Sequence, residues 1–334
     1  MNGRLENDLR IEKTINNNLK NMPQFVIEWY NNLRASKKTL SSCNDYIRKI
    51  RHYLLSIANR LDTITPHDIS LENIQKYFIS IQQKEINGSI TYTSDSYQQG
   101  VWCALNNFCE FLRKRKYIPE NYMEYIDKPK NRDLDRINEH RIHLTEDDFK
   151  NILLSIECGA GTAQARAHQL HYKERDRVIV KMFMQTGMRK TALSEINMED
   201  LDLNDDKLYI VDKGNKKHTY ILSDSLKEDI IVWLEKRNEI LEGLTTDAFF
   251  VTITGERLSA EAIYNIVGKY SAEALGYRIS PHKLRAGFCS ILYEKTQNVE
   301  FVRRAVGHSN ISTTQRYITT DNMERKQAAE LMDF

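Results

Sequence analysis

Two short β-prone runs, KLYIV at 207–211 and HTYIL at 218–222, interrupt a chain whose apolar residues otherwise recur at the helical period. Placed around KGNK at 213–216, they predict one antiparallel hairpin. A single hairpin cannot bury a sheet of its own, so the fold class is mainly α with a small antiparallel sheet. Four helical stretches come first: 25–33, 39–61, 69–82 and 96–114. In the second, Leu40, Cys43, Ile47, Ile50, Leu54 and Ile57 line one face; in the fourth, Val101, Leu105, Phe108 and Leu112 do so. Residues 1–22 are polar and read as a frayed or short helical lead-in.

The segment DKPKNRDLDR at 127–136 is charged, polar and interrupted by Pro129, the character of a linker. Helical patterning resumes at HLTEDDF, 143–149, where Thr145 can cap a helix with Asp148 reaching back to it. The expected division is a helical domain over 1–130, a linker over 131–142 and a second, mixed α/β domain over 143–334. A length of 334 residues with 41% apolar and 28% charged residues suits two folded, soluble domains. CGAGTAQARAHQLHYK at 158–173 reads as a lengthened loop or helix extension.

Composition removes several classes of function. The N-terminus MNGRLENDLR has no apolar signal core, and no run approaches the roughly 20 apolar residues of a membrane span. Cys43, Cys103, Cys109, Cys158 and Cys289 are an odd, scattered set without C-x-x-C spacing, which argues for a reducing cytoplasm. The histidines form no metal-ligand spacing and there is no G-x-x-x-x-G-K-[ST] phosphate loop, so neither a metal nor a cofactor is expected. The net charge of +2 is small, but binding depends on clusters. Arg34, Lys37, Lys38, Arg48, Lys49 and Arg51 form one basic cluster and Arg113, Lys114, Arg115 and Lys116 another.

The residues with chemistry to offer lie in the second domain. In SPHKLR, 280–285, Ser280 is placed as an N-cap and Pro281 at the first helical position, so His282 and Arg285 share a face at i, i+3. GHSNISTTQRY, 307–317, carries His308 and Tyr317 after a Gly-His turn, and Arg189 stands upstream in TGMRK. Each piece alone is commonplace, since an H-x-x-R pair usually marks a helix surface and one tyrosine among 17 is usually packing. Their joint order is not.

That order resembles the tyrosine recombinases, also called phage integrases, and among them the Xer-like bacterial members. The family's first arginine motif looks like TGMR here, its β-hairpin lysine falls on Lys213, its H-x-x-R box on His282 and Arg285, and its Gly-His to Tyr box on VGHSNISTTQRY, 306–317. The resemblance implies an N-terminal helical core-binding (SAM-like) domain laid across DNA and a catalytic domain with Tyr317 as nucleophile. Two positions depart from the pattern: Ala192 stands where relatives usually carry Glu, and Ala286 where His is common. Support of Arg189 is thereby left to Glu195 or to no side chain at all.

The residues suit the chemistry of a phosphodiester. Arg189 and Arg285 can grip the nonbridging oxygens with planar forks, and His308 can donate a further hydrogen bond there. A free tyrosine has a pKa of about 10, so Tyr317 must lose its proton on attack, with His282 as the acceptor. Lys213 can protonate the leaving 5′ oxygen. The product is a 3′-phosphotyrosyl link whose reversal by another strand's 5′ hydroxyl rejoins DNA without ATP. The expected partner is double-stranded DNA with paired recombination half-sites, and the basic clusters then become phosphate contacts. After Tyr317 a helix-prone stretch to Phe334 carries Met323, Ala328, Leu331, Met332 and Phe334 as an apolar stripe. It can fold onto its own domain or, as the resemblance implies, dock on a neighbour in a homotetramer. Two other classes use similar parts, a type IB topoisomerase and a catalytically silent DNA-binding relative, although no nucleophile or arginine is missing.

Overall fold

The computed structural model of the protein describes residues 3–86, 89–130, 143–212 and 216–307. The chain divides into two compact units, one of Asn7–Arg141 and one of Met1–Glu6 with Ile142–Phe334. The expected linker at 131–142, Lys213, and everything from His308 to the terminal stripe lie outside the described residues. The fold is mainly α, with a small three-stranded antiparallel sheet among the helices of the second unit.

Helices α1 (Gly3–Leu19), α2 (Gln24–Ala35), α3 (Leu40–Ile57), α4 (Leu71–Gln82) and α5 (Asp95–Lys114) supply the apolar faces of the first unit. Ile15, Val26, Trp29, Cys43, Ile47, Ile50, Leu54, Val101, Leu105, Phe108 and Leu112 are buried together, the faces that helical spacing predicts for α3 and α5. Thr39, Ser70 and Ser94 cap the three later helices by accepting from the backbone N–H three residues on. The lead-in is longer than its polar sequence suggests. Its helix runs for 17 residues, because Ile15 is buried and Arg51 of α3 donates to the Asn18 and Lys20 carbonyls at its C-terminal end. A small hairpin of β1 (Gln83–Ile86) and β2 (Ser89–Tyr92), absent from the sequence reading, separates α4 from α5.

In the second unit, α6 (Glu146–Cys158) begins with the predicted capping box: the Asp148 N–H donates to Thr145 Oγ1 and the Thr145 N–H to the Asp148 carboxylate. The 158–173 segment contains the short helix α7 (Ala163–Gln169), held by a double hydrogen bond between the Gln169 amide and the Ala160 backbone at 2.9 Å each way. Helix α8 (Lys173–Thr186) is the axis of this unit, with Val178, Ile179, Val180, Met182 and Phe183 all fully buried. It packs against α6, α10 (Asp224–Leu241), α11 (Ala260–Leu275) and α12 (Pro281–Thr296). Between α8 and α10 come the short helix α9 (Lys190–Glu195) and the strands β3 (Leu201–Asp202), β4 (Lys207–Asp212) and β5 (Lys216–Ile221) in the order β3-β4-β5. Tyr209 pairs with Thr219 and Val211 with Lys217, so Leu208, Ile210 and Tyr220 face the core while Tyr209, Val211 and Ile221 face outward. Helix α13 (Val299–Ala305) leads to Gly307.

Candidate active site

Helix α8 stops where Gly187 enters the left-handed region at φ 60°, with its N–H donating to the Phe183 carbonyl at 3.0 Å. Only glycine fits. A Cβ at this position would lie 2.5 Å from Cδ1 of Phe288 and 3.1 Å from Cγ1 of Val306. The turn continues through the buried Met188 to Arg189, whose extended backbone (φ −83°, ψ 146°) makes it the N-cap of α9. The TGMR segment is thus a sharp corner wedged against α12 and the stretch after α13.

Helix α12 starts as its sequence predicts, with Ser280 at the N-cap and Pro281 in the first turn. His282 and Arg285 follow on one face of that turn. Arg285 is only 2% exposed. Its Nη1 donates to the Gly187 carbonyl and its Nη2 to the Val306 carbonyl at 3.0 Å, so one guanidinium ties the TGMR corner to the residue before Gly307. Cys289, Val302 and Val306 pack beneath this tie with Phe288 and Leu292 alongside. A buried cation with two backbone acceptors has a fixed plane, which a phosphate clamp requires.

His282 remains open to solvent on one side. Protein packed around the rest of the ring, then the charges of Arg285, Lys283 and Arg189 in that order, hold its pKa below the ordinary 6.5. At neutral pH it is therefore an uncharged imidazole set among cations, able to accept a proton and, once protonated, pressed to give it up. The influence of Arg189 and Arg285 on one ring puts all three groups in a single electrostatic neighbourhood.

The hairpin lies beside the turn that Arg285 ties down. Gly307 has φ 68°, and a Cβ there would sit 3.2 Å from Nδ1 of His218 on β5. His218 in turn lies edge-on to Tyr220, with ring centroids 4.3 Å apart. Strand β4 ends at Asp212, directly before Lys213, and Gly307, in the turn after α13, directly precedes His308. Of the six residues singled out for catalysis, Arg189, His282 and Arg285 thus come together, while Lys213, His308 and Tyr317 are outside the described residues.

The ten basic residues expected to meet DNA belong to the other unit. Several are engaged within it. Lys49 pairs with Asp45 at 2.5 Å, Lys38 stands 4.5 Å from the Tyr46 ring centroid, and Arg34 donates to the Lys38 carbonyl at 3.4 Å. Arg51 caps α1. Arg113 forms a fork on Glu110 at 2.7 and 3.0 Å, Lys114 joins the same carboxylate at 3.3 Å, and Arg115 meets Glu28 at 3.3 Å. With Arg113 and Lys114 bound to it, the Glu110 carboxyl is pulled down to about 2, the Arg113 hydrogen bond being the largest cause. Arg48 is exposed, and Lys37 and Lys116 occupy left-handed turns at φ 57° and 61°.

Two residues stand out beside the corner, Ala192 and one that the sequence reading passed over, Arg257. Ala192 is buried at 6% exposure and offers no carboxylate there. Arg257, buried at 5%, donates from Nη1 to the Ser194 and Ile196 carbonyls at 3.3 and 2.8 Å and from Nη2 to Asn197 Oδ1 at 2.6 Å. No local pattern around Arg257 announces this, since its partners lie 60 to 63 positions away.

Comparison with known proteins gives a consistent picture. Residues 137–324 match the model of the phage integrase family. The tyrosine recombinase XerC of Caldanaerobacter subterraneus subsp. tengcongensis is 30% identical over 230 residues, covering 67% of this chain and 59% of that one. Across the first curated relatives, the matched stretch spans 49% to 59% of their own length. Among solved structures, the XerH site-specific recombinase bound to palindromic difH substrate in a post-cleavage complex superposes with a TM-score of 0.62 at 21% identity, over 90% of this chain and 82% of that one. A lambda integrase tetramer bound to a Holliday junction gives 0.58 at 16%, over 88% and 76%. At such identities the two structures bear on the fold alone.

Proposed function

Because the chain belongs to the phage integrase family, we propose that it is a site-specific DNA recombinase that cuts and rejoins strands through a covalent 3′-phosphotyrosyl intermediate and exchanges them by way of a Holliday junction. The observation that carries this reading is the Arg285 tie, which joins the TGMR corner, the H-x-x-R helix and the approach to the Gly-His box in one compact unit. In this mechanism Arg189 and Arg285 hold the nonbridging oxygens of the scissile phosphate and spread the charge that develops on them. Tyr317 attacks in line and its proton passes to the neutral imidazole of His282. His308 donates to a nonbridging oxygen. Lys213 delivers a proton to the departing 5′ oxygen, completing the balance: one P–O bond forms, one breaks, and no net energy input is needed.

The substrate in this reading is double-stranded DNA carrying paired half-sites. The basic clusters of the first unit supply phosphate contacts by exchanging exposed carboxylate partners for DNA, a cheap exchange because surface ion pairs contribute only about 0–1 kcal/mol. Four copies assemble on the DNA through the terminal stripe beyond Tyr317, and the protein works in the cytoplasm, which its free Cys43, Cys109 and Cys289 suit. Dimer resolution, integration and excision would use the same chemistry. A two-site plasmid assay run beside supercoil relaxation tests the reading: recombinant products are expected, and relaxation without any recombinant would favour topoisomerase chemistry instead.

A further inference from the structure

Helix α9 is six residues long, too short to hold its own shape, since isolated helices below roughly 12–15 residues are marginal in water. Its N-cap is Arg189, which makes no side-chain capping bond. Within it, Ala192 is buried. The other end of the helix is held across long separations in the chain. The guanidinium of Arg257 satisfies the Ser194 and Ile196 carbonyls, acceptors that a helix C-terminus leaves without internal partners, and sets a positive charge against the negative pole of the helix. Its Nε donates at 2.8 Å to Glu6, a residue of the same compact unit, so the buried charge is paired.

The clamp itself is anchored. Arg257 lies in an antiparallel bridge with Val251, between the buried Phe250 and Leu258, and the Leu258 N–H donates to the Phe250 carbonyl at 2.9 Å. The Ile196 carbonyl also accepts from the Phe249 N–H at 3.0 Å, and the Met198 N–H donates to the Asp247 carbonyl at 2.8 Å. Asn197, the third partner of Arg257, caps the next turn with Asp200. The C-terminal end of α9 is thus stitched to the hydrophobic core, while the Leu193 N–H ties back to the Arg189 carbonyl at 3.0 Å.

We propose that Arg257 is a positioning residue for Arg189: by pinning the far end of α9, it fixes where the N-cap arginine can hold a phosphate. This rests on the reading that Arg189 grips the scissile phosphate. A displacement of about 1 Å in such a group can slow a reaction ~100-fold, so a lysine at 257, which keeps the charge but cannot span three acceptors, is a sufficient perturbation.

The test uses the full chain and duplexes selected from a randomised library by covalent capture on the wild-type protein. R257K, checked for an unchanged melting profile, should cleave these duplexes about 10-fold to 100-fold more slowly while binding them with similar affinity. On the same duplexes with a neutral methylphosphonate at the scissile position, which has no charge for Arg189 to hold, the deficit should shrink to about twofold. R189A/R257K should be no slower than R189A. Asn197→Ala, which removes only one contact of the clamp, should show a smaller deficit with the same substrate dependence and serves if R257K does not fold. Equal deficits on both substrates, or additive effects of R189A and R257K, would make Arg257 a purely structural residue. Full-rate cleavage by R257K beside a slow R189A would overturn the positioning role alone, whereas full-rate cleavage by R189A would overturn the reading on which it rests.

Discussion

Arg285 donates from Nη2 to the carbonyl of Val306 at 3.0 Å, while its Nη1 donates to the Gly187 carbonyl, so a residue on α12 sets the distance between two turns that are about 120 positions apart in the chain. A group with this duty cannot be altered without loss of both stability and chemistry. Arg285→Lys leaves at least one buried carbonyl unpaired, at a cost of about 1–3 kcal/mol for each orphaned group. Urea unfolding should register a lowered midpoint at unchanged slope, and cleavage should fall by about 100-fold or more, as loss of an oxyanion donor does. An unaltered midpoint would mean that the two backbone bonds are dispensable.

The pH dependence of cleavage follows from His282. Its pKa in the folded protein lies below 6.5, so the ring is neutral and ready to accept a proton throughout neutral pH, and the acid limb of cleavage should lie below 6.5. For stability the sign is fixed by the same shift. Between the lowered value and 6.5 the unfolded chain takes up a proton that the folded one refuses, so stability falls as pH falls through that window. His282→Gln should abolish this part of the pH dependence of melting. A wild-type acid limb centred above 6.5 would contradict the assignment of His282 as the acceptor.

Much of this was legible in the sequence because it is written locally. The capping box of Thr145 and Asp148, the Ser280-Pro281 start of α12, and the apolar faces of α3 and α5 each depend on spacing within a few turns. Helix α1 was underestimated because the partner of its last turn, Arg51, comes from another helix. The β1–β2 hairpin had a local sign, the Asn87-Gly88 pair between its strands, that passed unread beside the polar run around it. In the proposed site, Arg189, His282 and Arg285 are singled out by their order in the chain, whereas the carbonyl partners of Arg285 and the Arg257 clamp are contacts across long separations. The same limit applied to Arg115, since nothing in a row of cations reveals that Glu28, 87 positions away, stands beside it, whereas the pairing of Arg113 with Glu110 follows helical spacing.

Lys213 has a prediction of its own, from the proton it is proposed to deliver. Lys213→Ala should cleave an ordinary duplex about 100-fold more slowly or worse, the scale of general acid catalysis, but cleave a duplex with sulfur at the 5′ bridging position far better, since a thiolate leaves unprotonated. Comparing single-turnover rates on the two substrates decides it. Equal impairment on both would make Lys213 a phosphate contact.

Tyr317 is proposed to attack DNA and become joined to it, and covalent trapping tests this most directly. A duplex nicked so that the cleaved fragment diffuses away should accumulate as a denaturation-resistant adduct on the wild-type protein, in excess EDTA and without nucleotide, because two arginines act as the charge clamp. Tyr317→Phe lacks only the phenolic oxygen. It should bind the same duplex with nearly unchanged affinity and form no adduct. An adduct persisting in Tyr317→Phe, or one whose proteolytic mapping places the DNA on another residue, would contradict the account.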